Sequence, residues 1–252
     1  MEIIDIKKSN IEDEHICCAI ADKKGENCVG SKKDWMKEQF DDGLVFKKLN
    51  ERGKVFIEYI PAENAWTPIS APDYMYINCF WVSGKFKGQG YANKLLEECI
   101  KDSKEKGKTG LIVLSSKTKR PFLSDPKYLK YKGFLVADTA EPYFELLYLP
   151  FLKGGTTPLF SESARKGTIP EKGIVIYFSN QCPFTEKYVG LVSDIARERG
   201  VDFRSEKITS RKQAQSAPTP FTTYSLFFNG ELVSNEIYSE KKFSKFLDDN
   251  GL

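Results

Sequence analysis

Seven residues in the first half of the chain, Gly84-Lys85-Phe86-Lys87-Gly88-Gln89-Gly90, have the types and spacing from which a phosphate site is built. Glycine lets a loop turn sharply and approach a ligand closely. A helix that starts just beyond it offers unpaired amide N–H groups and the positive end of its dipole. Lys85 and Lys87 add mobile positive charge. A hydrogen bond to a charged group contributes roughly 1.5 to 3 kcal/mol, so a pyrophosphate would be held mainly by backbone. Two other phosphate signatures do not fit. A Walker loop needs Gly-Lys-Ser/Thr after its second glycine, and the dinucleotide fingerprint lacks its third glycine because Asn93 stands there.

The elements that must position this loop are legible on either side of it. Residues 75–83 are a continuous apolar run rich in aromatic and β-branched types, which suits a buried strand. After the loop, Ala92, Leu95, Leu96, Cys99 and Ile100 recur at helical spacing. Upstream, a short strand over 3–6 leads to a helix expected to be capped by Asn10 with Asp13, which would contain His15. Ser31 and Asp34 form a second capping signature before Trp35, Met36 and Phe40, with Gly43 at the helix end. Strands over 44–49 and 55–60 follow. Downstream come a strand over 110–115, a short helix over 126–130, and strands over 134–137 and 144–149, which together predict an α+β fold with a mixed sheet.

Lys85, Gly88 and Gly90 fit Arg/Gln-x-x-Gly-x-Gly/Ala, the acetyl-CoA pyrophosphate signature of the GNAT N-acetyltransferase superfamily, with lysine in the first place. Residues 1–150 resemble that superfamily throughout. The runs Ile57-Glu58-Tyr59-Ile60-Pro61-Ala62-Glu63, Cys79-Phe80-Trp81-Val82 and Lys130-Tyr131-Lys132-Gly133-Phe134 look like its YoaP-type branch. The segment between Val82 and Lys85 is about two residues shorter than the common pattern. The resemblance implies a sheet whose central strands, here 78–83 and 111–115, splay apart to admit the acetyl-pantetheine arm. It also implies acetyl-CoA as cosubstrate, bound by Trp81, Val82, Lys85, Phe86, Lys87, Gly88, Gln89, Gly90, Tyr91 and Ala92.

Acetyl transfer to an amine needs a neutral nucleophile against the thioester carbonyl, a donor for the developing oxyanion, and an acid for the leaving thiolate. By resemblance, backbone N–H groups near Trp81 or Val82 would polarise the carbonyl. The acid would be a tyrosine near Gly133, with Tyr128 preferred over Tyr131. For the base, Glu58 lies among apolar neighbours that would raise its pKa, and Glu63 is a second candidate. His15, the sole histidine, has no adjacent nucleophile in sequence and reads as structural.

After Leu149 the composition shifts to a linker over 151–172, and a second unit over 173–252 reads β-α-β-α-β-β-α, with an Asn229-Gly230 hairpin turn and a last helix capped by Ser239. That order resembles the thioredoxin or glutaredoxin fold. Cys182-Pro183-Phe184-Thr185 stands where the family carries Cys-Pro-x-Cys, and Pro218 or Pro220 is where its cis proline is expected. With threonine in the fourth place there is no resolving thiol, so Cys182 reads as a scaffold or binding contact ahead of a redox catalyst.

In 252 residues, 38 basic side chains face 35 acidic ones, which leaves no nucleic-acid footprint, and Lys117-Thr118-Lys119-Arg120 reads as a solvated loop. No apolar run reaches a membrane span, and the start lacks a signal peptide, so a cytoplasmic location is expected. Cys17, Cys18, Cys28, Cys79, Cys99 and Cys182 contain no Cys-x-x-Cys pair, so reduced thiols and no metal are expected. The leading reading is an acetyl-CoA-dependent N-acetyltransferase acting on a small-molecule or peptide amine. A non-catalytic CoA-binding module and monothiol redox work through Cys182 are its rivals.

Overall fold

The computed structural model describes residues 2–16, 19–22, 24, 26–152 and 154–252; Cys17 and Cys18 lie outside the described residues. Strand β1 (Ile3–Ile6), helix α1 (Cys28–Asp41), β2 (Val45–Leu49), β3 (Val55–Pro61) and the short β4 (Ile69–Ser70) lead to β5 (Tyr74–Val82). The helix after the glycine loop is α2 (Tyr91–Glu105). It is followed by β6 (Gly110–Ser116), α3 (Pro126–Tyr131), β7 (Leu135–Ala140) and β8 (Phe144–Pro150). Seven of these strands form one sheet of order β1-β2-β3-β5-β6-β8-β7, in which only β5 and β6 run parallel.

Alternation along the strands builds two cores, because successive side chains point to opposite faces. Val55, Ile57 and Tyr59 of β3 join Leu95, Leu96 and Cys99 of α2 on one face. Phe56 and Ile60 join Trp35 and Met36 of α1 on the other. Every residue of β6 is buried, as expected of a strand covered on both sides. Each fully buried leucine in the α2 stripe stabilises by about 1.5 to 3 kcal/mol.

The remainder comprises β9 (Leu159–Phe160), β10 (Ile174–Phe178), α4 (Thr185–Glu198), β11 (Phe203–Lys207), α5 (Arg211–Gln215), β12 (Tyr224–Phe228), β13 (Glu231–Ser234) and α6 (Glu240–Asp249). A four-stranded sheet of order β11-β10-β12-β13 has β10 and β11 parallel and the others antiparallel. Val189, Val192 and Ala196 of α4 pack with Phe243 and Leu247 of α6 on one side of it. Asn229 and Gly230 both take positive φ, as the two-residue hairpin requires, and Ser239 accepts the Lys242 N–H at 3.4 Å.

Four expectations are corrected. Asn10 caps no helix: its Oδ1 accepts the Lys7 N–H at 2.8 Å and its amide donates to the Asp5 carbonyl at 3.0 Å, closing turns instead, and His15 follows in irregular chain. Helix α1 starts three residues before Ser31. The Asp22 carboxylate, distant in sequence, takes the Val29 and Gly30 N–H groups at 2.8 and 3.3 Å, while the Ser31 hydroxyl donates back to the Asn27 carbonyl. The stretch 151–172 is no free linker. Leu159–Phe160 pairs with β4, Phe160 and Ala164 are buried in the core beside Phe56, and Asp138 fixes both the Phe160 N–H and Arg165. Among the described residues the cis prolyl bond is Glu141–Pro142, in the turn between β7 and β8, so Pro218 and Pro220 are trans.

The two halves share a core, since Ile208, Ala214 and Ala217 pack in the same cluster as Trp35 and Phe56. Polar clamps surround it. Gln215 donates to the Glu63 and Ala65 carbonyls, the Thr222 hydroxyl donates to the Trp66 carbonyl, and Asn235 links Tyr143 to the Pro121 carbonyl. Among the described residues no helix is long and apolar enough to cross a membrane.

Candidate active site

The pairing of β5 with β6 runs from Tyr74↔Gly110 to Ile77↔Val113 and stops, although β5 continues to Val82 along β3 and β6 continues to Ser116 along β8. The strands therefore part beyond Ile77, leaving alternate main-chain groups of β5 without a ladder partner on that side. A bulge begins the parting: Glu58 pairs with Cys79 and Tyr59 with Ile77, so Asn78 is the extra residue.

The glycine loop follows at the open end. Gly88 and Gly90 sit at φ +75 and +82, and a Cβ on either would meet nothing within 4 Å; the backbone conformation, not crowding, demands glycine. The Lys94 N–H donates to the Gly90 carbonyl at 3.1 Å as the first helical bond of α2, and Gly90 brings no capping side chain. The first-turn amides of Ala92 and Asn93 therefore face the end of α2, where an outside acceptor can reach them. Phe86 and Tyr91 bury their rings edge-on, 6.0 Å apart, which anchors the loop. Gln89 donates to the Lys85 carbonyl, and the Lys85 ammonium lies 5.0 Å from the Phe86 ring.

Beside this loop lies a cavity of about 440 Å³, lined among others by Trp81, Val82, Lys87, Ala92 and Tyr128. Asp125 accepts the Lys127 and Tyr128 N–H groups at 2.9 and 3.4 Å, fixing the start of α3. The Tyr128 hydroxyl donates to Asn93 Oδ1 at 3.2 Å, and its ring meets Phe80 edge-on. Burial pushes its pKa up to about 12, so the phenol keeps its proton at neutral pH. Tyr131, the other candidate acid, is the last residue of α3; it is 83% exposed and lines neither cavity.

A second cavity, of about 380 Å³, lies across a common wall formed by Phe80, Trp81 and residues 121–124. Glu58 lies at it, on the α1 side of β3, but its carboxylate is fully engaged. Lys32 Nζ of α1 lies 3.0 and 2.7 Å from its two oxygens, and Asn78 Nδ2 donates to one of them at 3.1 Å. Both charged side chains are buried, and the Lys32 ammonium also sits 4.2 Å from the Trp35 ring centroid. Glu63 is exposed, pairs with Lys108 at 2.6 Å and lines neither cavity, so the structure sets it apart from the site. His15 is likewise apart, with Nε2 3.0 Å from the Gly53 carbonyl oxygen.

Cys182, Pro183 and Phe184 of the second half line the same 380 Å³ cavity as Glu58. Thr185 is buried and donates to the Ser179 and Cys182 carbonyls at 2.7 and 2.8 Å, fixing the turn that carries the thiol. Asp22, Glu26 and Cys28 bring ligand atoms within 4.8 Å of one another, but Asp22 is spent on the start of α1 and Glu26 pairs with Lys187 at 2.7 Å.

Sequence reasoning missed Lys32, Asn78 and Asn93. Two of them left a signal: Lys32 shares a helical stripe with Val29 and Met36, and Asn78 interrupts the apolar run of β5. Asn93 left none, being an ordinary polar residue on a helix.

The description "Acetyltransferase (GNAT) family" matches residues 10–121, and "YoaP-like" matches residues 203–245. A Bacillus subtilis (strain 168) protein described as an uncharacterized N-acetyltransferase, YoaP, is 46% identical over 245 residues, 97% of this chain and 98% of that one. Among solved structures, the Escherichia coli ribosomal-protein-S18-alanine N-acetyltransferase is similar at TM-score 0.40 and 14% identity, covering 61% of this chain and 96% of its own. PaiA N-acetyltransferase from Thermoplasma acidophilum, in complex with coenzyme A, is similar at TM-score 0.40 and 15% identity, covering 60% of this chain and 100% of its own. Those structural likenesses are too loose to carry an argument. The full-length relative is not.

Proposed function

We infer the working parts from one premise: this chain belongs to the YoaP-type GNAT N-acetyltransferases and moves acetyl from acetyl-CoA to an amine. The diphosphate of the coenzyme is held by main-chain amides between Lys85 and Ala92, with Lys85 and Lys87 adding charge. The acyl arm enters the parting of β5 and β6. That parting, opening beside a helix start with no capping side chain, is the observation that carries the reading.

A new N–C bond forms to the acetyl carbon as its C–S bond breaks; the amine passes one proton to solvent, the thiolate gains one from a phenol, and solvent returns a proton to that phenol. A main-chain N–H near Trp81 or Val82 receives the charge that builds on the carbonyl oxygen; such a donor is worth about 10²- to 10³-fold in rate. Tyr128 turns its hydroxyl from Asn93 Oδ1 to donate toward the leaving sulfur, supported by its raised pKa and its place in the 440 Å³ cavity. Glu58, with both oxygens taken by Lys32 and one by Asn78, serves as a positioning residue for Asn78 rather than as the base. The acceptor then arrives as the neutral amine, which an apolar cavity favours over the ammonium.

For residues 1–150 we assign the acetyltransferase unit, for 151–172 a strap, and for 173–252 a thioredoxin-like unit. The last is supported by strand order β11-β10-β12-β13 with the first pair parallel, and by α4 and α6 packed together. Cys182 acts in it as a wall contact. The test is calorimetric titration of the full chain with acetyl-CoA, followed by thiol-release assays with amines. One site per chain and amine-dependent release are expected; no affinity for acetyl-CoA overturns the reading.

A further inference from the structure

We propose that the acceptor is a small aromatic amine, bound in the 380 Å³ cavity that the two halves of the chain close together, with Asn78 Oδ1 receiving one of its N–H groups; this rests on the acetyl-transfer reading above. The volume falls within the range of small-molecule sites and admits a ring with a short arm. Phe56, Phe80, Phe122, Phe184 and Phe221 line it, and aromatic rings pack edge-on or offset on one another better than flexible chains do.

The charge in the cavity argues for the same class. Lys32 and Glu58 are the only ammonium and carboxylate groups among the described lining residues, and each neutralises the other at 2.7 Å. No charge is left over for a polyamine's further ammonium groups or for a carboxylate, and apolar walls disfavour both.

Asn78 supplies the polar contact. A carboxylate only accepts hydrogen bonds, so the amide nitrogen of Asn78 must face Glu58, as it does at 3.1 Å. That fixes Oδ1 as the remaining group, and this atom is buried without a hydrogen-bond partner. An orphaned acceptor of this kind is satisfied by an N–H donor, which an amine brings. The bulge that frees Asn78 lies where β5 and β6 part, so an amine held there lies beside the wall shared with the coenzyme cavity.

The second half thereby sets acceptor choice. It contributes Phe184, Phe221 and Cys182 to the walls and is held in place by the Lys187–Glu26 pair and by Asn235 on the Pro121 carbonyl.

The experiment compares 2-phenylethylamine, spermidine and a short peptide with a free N-terminal alanine as acceptors for the full chain, with acetyl-CoA binding measured calorimetrically alongside. Phenylethylamine is expected to lead in kcat/KM by about tenfold or more. Phe184→Ala should raise its KM about tenfold with the acetyl-CoA Kd within about twofold, since the Phe184 ring offers the acceptor an apolar surface and stands apart from the glycine loop. Cys182→Phe, which fills the cavity instead of enlarging it, should abolish phenylethylamine turnover under the same check. Preference for spermidine or peptide, or unchanged KM in both variants, overturns the inference while acetyl transfer stands. Absence of acetyl-CoA binding to the unaltered chain overturns both.

Discussion

Replacing Lys32 by methionine keeps the length of the side chain on the α1 stripe but removes the cation that holds both oxygens of Glu58. Both partners are buried, with side-chain exposures of 1% and 2%, so water cannot replace the missing cation. Breaking a buried pair from one side costs about 3 to 5 kcal/mol, against a total stability of about 5 to 15 kcal/mol for a folded chain. At about 2 to 4 °C per kcal/mol for chains of this size, Lys32→Met should lower Tm by roughly 6 to 20 °C. Lys32→Met with Glu58→Leu removes both charges and should recover most of the loss, because an apolar pair of similar volume is often neutral or better. The assay is a denaturant double-mutant cycle followed by tryptophan fluorescence, for which Trp35, 4.2 Å from the Lys32 ammonium, is a local reporter. A Lys32→Met loss under about 1 kcal/mol, or single losses that simply add in the double variant, would refute the buried pair. The double variant should fold yet turn over amines poorly, because Asn78 loses the carboxylate that orients it.

Three further outcomes follow from the same geometry. Tyr128→Phe should lower kcat by about 10²- to 10⁴-fold with acetyl-CoA affinity retained, and a loss under about threefold would remove it as the acid; since burial pushes its pKa up to about 12, the unaltered enzyme should show no loss from this group at any lower pH. Gly90→Ala places a side chain at φ +82, a cost of about 1 to 2 kcal/mol that should weaken acetyl-CoA about 5- to 30-fold, whereas Gly107→Ala, at φ +71 beyond the far end of α2, should destabilise without affecting the coenzyme. Burial pulls the Asp138 carboxyl upward, but the Arg165 guanidinium and the Phe160 and Thr139 amides outweigh it and hold its pKa below the usual carboxylate range. Its contribution is therefore complete above the unfolded value and lost as pH falls through the folded one; urea midpoints between about pH 6 and 3 should drop less steeply in Asp138→Asn.

Local signals carried most of the elements. The stripe Leu95, Leu96, Cys99 and the glycine pair before it define α2 and its start without help from elsewhere, and Asn229-Gly230 does the same for its hairpin. The sequence misleads where a side chain has two local uses: Asn10 matches a cap but satisfies turn amides, and Ser31 matches a cap while Asp22 performs the task from outside the helix. The apolar neighbours of Glu58 mark it as buried, but its partner lies 26 residues away on another element. Nothing local ties Cys182 to Glu58 either; only the docking of two sheets brings them to one cavity.

Because Ile208, Ala214 and Ala217 belong to the same core as Trp35 and Phe56, the chain cannot be dissected at its compositional boundary. A fragment ending near residue 150 would present that apolar face to solvent, and insolubility on expression is the expected fate of such a patch. Any activity salvaged from it would belong to an open cleft, without the wall that chooses the amine.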